Sequence, residues 1–230
     1  MAAAPIAGVC SMATRHVLAE LALAYEQRTG QPVTVTSVGG VEALRRVQNR
    51  EPFDFVALAA DAIGRLAADG HVDPGSRVDL ARSGVAVAVR AGAPHPDLAT
   101  GETVRQAVLS ARKVGYSTGP SGVHLARLFE RWGIAETIAA RIVQAPPGVP
   151  VGTLVARGEV ELGFQQFSEL VGLPGIDVVG ALPPDIQVIT VFSAATCRAS
   201  TRPDDVKALF AFLTRPEWDA AKRRHGLEPP

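Results

Sequence analysis

Between residues 5 and 70, short apolar runs and amphipathic stretches take turns. Pro5–Cys10 is a short apolar run. Ala13–Arg28 has helical spacing, with Val17, Leu18, Leu21 and Tyr25 on one face. Pro32–Ser37 (PVTVTS) alternates as a strand does. Gly39–Arg50 returns to helical spacing, with Val41, Leu44 and Val47 in line. Phe55–Ala59 reads as a strand, and Ala62–Ala68 as a short helix ending at Gly70. Parallel neighbours need a crossover connection, and a helix supplies it. This order therefore predicts a parallel sheet with helices on its faces.

The same grammar continues. Ser83–Arg90 (SGVAVAVR) reads as a strand, followed by the loop AGAPHPD. Glu102–Arg112 reads as a helix, Lys113–Ser117 as a strand and Ser121–Trp132 as a helix. Pro146–Pro150 is a loop, Val151–Ala156 a helical turn or two, and Glu161–Gln166 a strand. Asp185–Thr196 holds the apolar run QVITVFSAAT. Asp204–Leu213 and Glu217–Arg224 read as surface helices. With 230 residues the chain can bury one large core or two smaller ones. We read an α/β protein of two lobes, each a mainly parallel sheet flanked by helices. Lobe I is 1–82 with 190–230 and lobe II is 83–189. Ser83–Arg90 and Gln187–Cys197 are the crossovers, and a ligand cleft is expected between the lobes.

Lys and Arg balance Asp and Glu at 23 each, so the composition points to no broad surface for nucleic acid or an anionic membrane. No apolar segment approaches the length of a membrane span. The N-terminus, MAAAPIAGVCSMATRHVL, has no basic residue before Arg15, and Pro5 breaks its apolar run. As written the chain reads as cytoplasmic; a mature exported chain given a start Met would read the same. Cys10 and Cys197 lack a CxxC partner or a nearby His, so no metal is expected, and no cofactor. Two buried reduced thiols are the expectation, with a single disulfide as the alternative.

Ligands of open α/β sheets sit at the carboxyl ends of strands, beside helix N-termini whose free N–H groups favour anions. Four corners qualify: Cys10–Ser11–Met12; Ser37–Val38–Gly39–Gly40, followed by Val41; Ser117–Gly122 with Thr118, Ser121 and Gly122; and Pro147–Pro150 with Val149. Each has a plainer reading. Ser11 and Ser121 are good N-caps, Gly39–Gly40 permits a tight turn, and Pro150 suits a first helical turn. The polar pair Gln165–Gln166 ends the apolar strand ELGF. Successive strand residues face opposite ways, so one glutamine faces the cleft; a surface pair is the alternative. His124 lies at the edge of the stripe formed by Leu125, Leu128, Phe129 and Trp132. A neutral imidazole there can donate to a ligand or move a proton; a solvated surface histidine is the other reading. Arg15, His16, Arg45 and Arg46 stand in first helical turns, and one of them reaching the ligand would suit a carboxylate.

The stretch AYEQRTGQPVTVTSVGGVEALRRVQNREPFDFVALAAD resembles the first half of the molybdate-binding proteins of bacterial ABC transporters. LVARGEVELGFQQFSEL resembles a late segment of the same family. The likeness runs from about residue 5 to 225 and rests on the order of segments. It implies a type II periplasmic-binding-protein fold. The family's first ligand serine matches Ser11, while its second falls on Gly39 or Gly40, where the hydroxyl is missing. Its Pro-Ala-Gly turn matches Pro120–Gly122, with Ser121 in place of alanine. Its later backbone contact falls near Val149, and its tyrosine on Gln166. The resemblance extends to an enzymatic, aconitate-isomerase-like branch, which needs anion-holding amides and one acid/base group.

The expected function is binding of a small anion, an organic polycarboxylate, by helix N-termini and hydroxyls. One alternative is an isomerase moving a proton in such a polycarboxylate, with His124 as the catalytic group. Another is binding of a molybdate- or tungstate-type oxyanion, with an ABC permease as partner if the protein is exported.

Overall fold

The computed structural model describes residues 4–230. In chain order its elements are β1 (Ile6–Ser11), α1 (Arg15–Thr29), β2 (Val33–Val38), α2 (Gly40–Gln48), β3 (Phe55–Ala59), α3 (Ala60–Ala68), β4 (Val78–Arg90), α4 (Gly101–Ser110), β5 (Val114–Tyr116), α5 (Pro120–Arg131), α6 (Ala135–Ile138), β6 (Ile142–Gln144), α7 (Val151–Ala156), β7 (Leu162–Gln166), α8 (Phe167–Leu170), β8 (Ile176–Ala181), β9 (Ile189–Thr196), α9 (Pro203–Leu213) and α10 (Asp219–Arg224). The chain divides into two compact units. The first holds the residues up to Arg82 together with Val191–Pro230, and the second is Ser83–Thr190.

In the first unit β1 lies between β2 and β3 and runs parallel to both. β9 returns antiparallel beside β3. The expected face of α1 is buried, with Val17, Leu18, Leu21 and Tyr25 packed on Ile6, Phe55 and the α9 residues Leu209 and Phe210. Gly8 is required by this packing. A Cβ there would fall inside the Phe55 ring, so only glycine lets the ring lie flat across β1. The opposite sheet face carries α2 and α3 through Ala43, Val47, Ile63 and Leu66. Val41, expected in line with Val47, is instead exposed.

In the second unit β5 runs parallel to β6 and β7. β4 is antiparallel to both β7 and β8. Its core joins Val104 and Val108 of α4 with Leu125, Leu128 and Phe129 of α5. β6 and β8 were not expected from the sequence, and β4 begins at Val78 rather than at Ser83. Both cysteines are free and buried, in different apolar clusters.

Candidate functional site

At the C-terminal end of β1, Ser11 pairs in register with Val38 of β2, so the Gly39–Gly40 turn follows beside it. The Ser11 hydroxyl is buried and has no hydrogen-bond partner. It does not cap the turn that follows it. A buried hydroxyl without a partner costs about 1–3 kcal/mol, so this group is disposed to accept a guest. Gly39 caps α2 at φ −58°, which any residue can adopt, so a left-handed turn is not why glycine stands there. Nor does crowding require glycine at position 40. A Cβ on it would find only the Ser11 Cβ, 3.9 Å away, within contact range. The sequence thus leaves room beside an unpaired hydroxyl and the first N–H groups of α2, Gly40 and Val41 included. Met12 starts the turn into α1, its sulfur 4.0 Å from an Arg15 nitrogen. Beneath Ser11, Cys10 Sγ and Ser37 Oγ lie 3.0 Å apart. Burial pushes the Cys10 thiol up from its ordinary value, so it stays neutral.

In the second unit β5 and β7 lie side by side and parallel, with Tyr116 paired to Phe164. The Ser117 loop and the Gln165–Gln166 pair therefore lie at the same end of the sheet. Ser121 is not the N-cap of α5. Gly119 takes that position, Pro120 fills the first helical place, and Ser121 is buried in the first turn. The Ser117 hydroxyl accepts from Gly119 N at 3.3 Å and lies 3.4 Å from Ser121 Oγ. A Cβ on Gly122 would overlap the Ser117 carbonyl oxygen, so the loop closes on a residue that must be glycine. Thr118 is exposed.

His124 is half-buried, and its Nε2 lies 2.8 Å from the Ile186 carbonyl oxygen. A carbonyl only accepts, so Nε2 carries a hydrogen, and in a neutral ring Nδ1 keeps the lone pair. The side chain ties α5 to the segment before β9, which the sequence did not foretell.

The two glutamines are both buried, which removes the surface-pair reading. Gln165 is spent inside the unit. Its Oε1 accepts from Val151 N at 2.7 Å, and its Nε2 donates to Glu169 at 2.8 Å. It holds the start of α7 and turns no free group outward. Gln166 is half-spent: Nε2 donates to Thr190 Oγ1 at 2.8 Å, while Oε1 is buried without a partner. Val149 offers no free amide, because its N–H already donates to Pro146 O at 3.0 Å, and Pro150 caps α7 rather than entering it.

Two further buried polar residues lie beside the pair and were not expected from the sequence. Ser168, two positions past Gln166, is buried with its hydroxyl unpartnered, and Thr190 holds the Gln166 amide. The only signal for Ser168 was its place in QQFSEL, next to the pair that was noticed. Arg45 is bound to Glu42 and Arg46 to Glu51, whereas Arg15 donates to His16 Nε2 at 2.9 Å and lies beside Met12. Among the described residues no group of three His, Cys, Asp or Glu side chains is placed to hold a metal, and no helix is long and apolar enough to cross a membrane.

The chain as a whole is similar to known proteins. Residues 6–228 match the family model described as bacterial extracellular solute-binding protein. A Pseudomonas protein named aconitate isomerase is 37% identical over 238 residues, covering 100% of this chain and 90% of that one. Among solved structures, the periplasmic molybdate-binding protein of Azotobacter vinelandii aligns with a TM-score of 0.80 at 20% identity, over 98% of this chain and 99% of that one. A tungstate-binding protein from Desulfovibrio alaskensis aligns with a TM-score of 0.66 at 16% identity, over 95% and 93%. The fold is that of the type II periplasmic binding proteins. With the family model spanning nearly the whole chain, this protein belongs to the bacterial extracellular solute-binding protein family.

Proposed function

We propose that the protein binds a small polycarboxylate of the aconitate class and shifts its double bond by proton transfer. The observation that carries this reading is the Gln166–Thr190 pair, whose remaining amide atom, Gln166 Oε1, is buried and unpartnered. The Thr190 hydroxyl can accept or donate, so the amide can turn either end outward. Its N–H₂ suits a carboxylate oxygen, and its carbonyl suits a protonated carboxyl or a water. In the same unit, the opening N–H groups of α5 are further donors for a multiply charged acid. The full-length likeness to a relative named aconitate isomerase supports the same substrate class.

In this reading His124 Nδ1 takes a proton from the methylene carbon beside the double bond. The double bond shifts, and a proton returns at the far carbon, leaving the composition unchanged. Nε2–H stays on Ile186 O and keeps the ring turned. The test follows cis- and trans-aconitate by proton NMR in deuterium oxide. Wild type should interconvert them and incorporate deuterium. His124→Gln, which keeps a donor for Ile186, should slow this about 10²–10⁴-fold if the ring moves the proton. An unchanged rate removes His124 from the chemistry.

One observation favours a second reading, oxyanion binding without turnover. Arg45 and Arg46 are committed to glutamates, and hydroxyls and amides alone suffice for a mineral oxyanion. A thermal shift with molybdate or tungstate, and none with aconitate, would select it.

A further inference from the structure

The first unit's sheet ends at β2, whose only strand partner among the described residues is β1. Its sequence, VTVTSV, is β-branched almost throughout and carries no proline, lysine or bulge, the usual guards of an open edge. Beside this edge runs a groove of about 480 Å³, lined by Arg15, Ala19, Leu23 and Glu26 of α1 and by Val33 and Val35 of β2, with His16, Ala22 and Ser37. Leu23 is 57% exposed on its flank, an apolar side chain with water for a neighbour. Arg15 stands at the Ser37 end and Glu26 at the Val33 end, eleven residues and about 16 Å apart along α1. Among the described residues neither has an ion-pair partner.

We infer that β2 pairs antiparallel with β2 of a second copy of this chain. The charges select that occupant. A two-fold axis near Val35 sets each copy's Arg15 beside the other's Glu26, which converts two unpaired opposite charges into two reciprocal ion pairs. The same axis brings Leu23 and Ala19 of the two α1 helices toward each other and closes the open edge. Close approach of the helices is permitted because Ala19 and Ala22 are small.

Analytical ultracentrifugation of the full chain tests this. Wild type should sediment as a dimer. Arg15→Glu and Glu26→Arg should each weaken the dimer about tenfold or more, because each puts like charges in contact twice. Mixing the two single variants should restore dimers. One copy then carries acids at both positions and the other carries bases, so both contacts become attractive. The double variant should also dimerise. A wild type that stays monomeric at every concentration reached overturns the proposal. So does a dimer indifferent to both single variants, which would be built from another surface. Dimer loss in both singles without rescue on mixing overturns the reciprocal pairing.

Discussion

At the end of β1, Ser11 keeps a buried hydroxyl without a partner, and Gly40 leaves space beside it. At the end of β5, Ser117 spends its hydroxyl on Gly119 N and Ser121, and Gly122 lies so close that its missing side chain closes the loop. Both corners combine serine, glycine and a helix start. One glycine makes room, whereas the other lets two pieces of backbone touch. The first corner is open to a guest; the second is a rigid scaffold that fixes the first N–H groups of α5.

Replacing each glycine separates these roles most sharply. Gly122→Ala must displace the Ser117 carbonyl, and we expect a loss of about 3 kcal/mol or more in urea denaturation. Gly40→Ala meets nothing closer than 3.9 Å and should change stability by less than about 1 kcal/mol, in the stabilising direction, because alanine has less freedom to lose. Equal effects would mean that the corners do not differ in the way described.

The glutamine pair repeats the contrast at smaller scale. Gln165→Leu leaves Val151 N–H without its acceptor and takes the amide from Glu169, at a cost of about 1–3 kcal/mol. Gln166→Leu loses one bond to Thr190 but also removes a buried orphan carbonyl, so its cost should stay below about 1 kcal/mol. The ligand response should fall in the reverse order. In thermal shift with aconitate, molybdate or tungstate, Gln166→Leu should lose the response, whereas Gln165→Leu should retain part of it. A response abolished equally in both would place Gln165 at the ligand too.

The fold was legible because its determinants are local and periodic. The stripe of Val17, Leu18, Leu21 and Tyr25 and the strand Phe55–Ala59 each declare an element and a buried face. β6 has three residues, too few to show alternation, and β8 is half-buried along most of its length. The site was legible only as a set of corners. Whether a polar side chain is spent or waiting depends on partners far along the chain: Ile186 for His124, Thr190 for Gln166, Val151 for Gln165. Ser121 looked like a cap because caps and buried first-turn serines share one residue type. Pro120 decided the matter by claiming the first helical position for itself.

The smallest expected effect concerns the ground beneath the open corner. Cys10 precedes Ser11, and a thiolate there would repel an anion. Burial raises its thiol, against the pull of hydrogen bonds from Ser37 and Thr14 and the charge of Arg15. Cys197, in the other apolar cluster, is pushed up to about 12 by burial and then by the charge of Asp54. Both are acids with folded pKa above the unfolded value of 9.0. Above pH 9 the unfolded chain loses these protons and the folded chain keeps them. Stability therefore declines as pH rises from there, through about 12 for Cys197, by at most about 1.4 kcal/mol per pH unit for each thiol. Urea denaturation across this range should show the decline, and Cys10→Ala and Cys197→Ala should each flatten it. Below that range the corner rests on a neutral thiol, so the anion response should not change between about pH 8 and 9. A response that weakens there in wild type but not in Cys10→Ala would mean that the thiol ionises within the fold, and the open corner would then be a charged one.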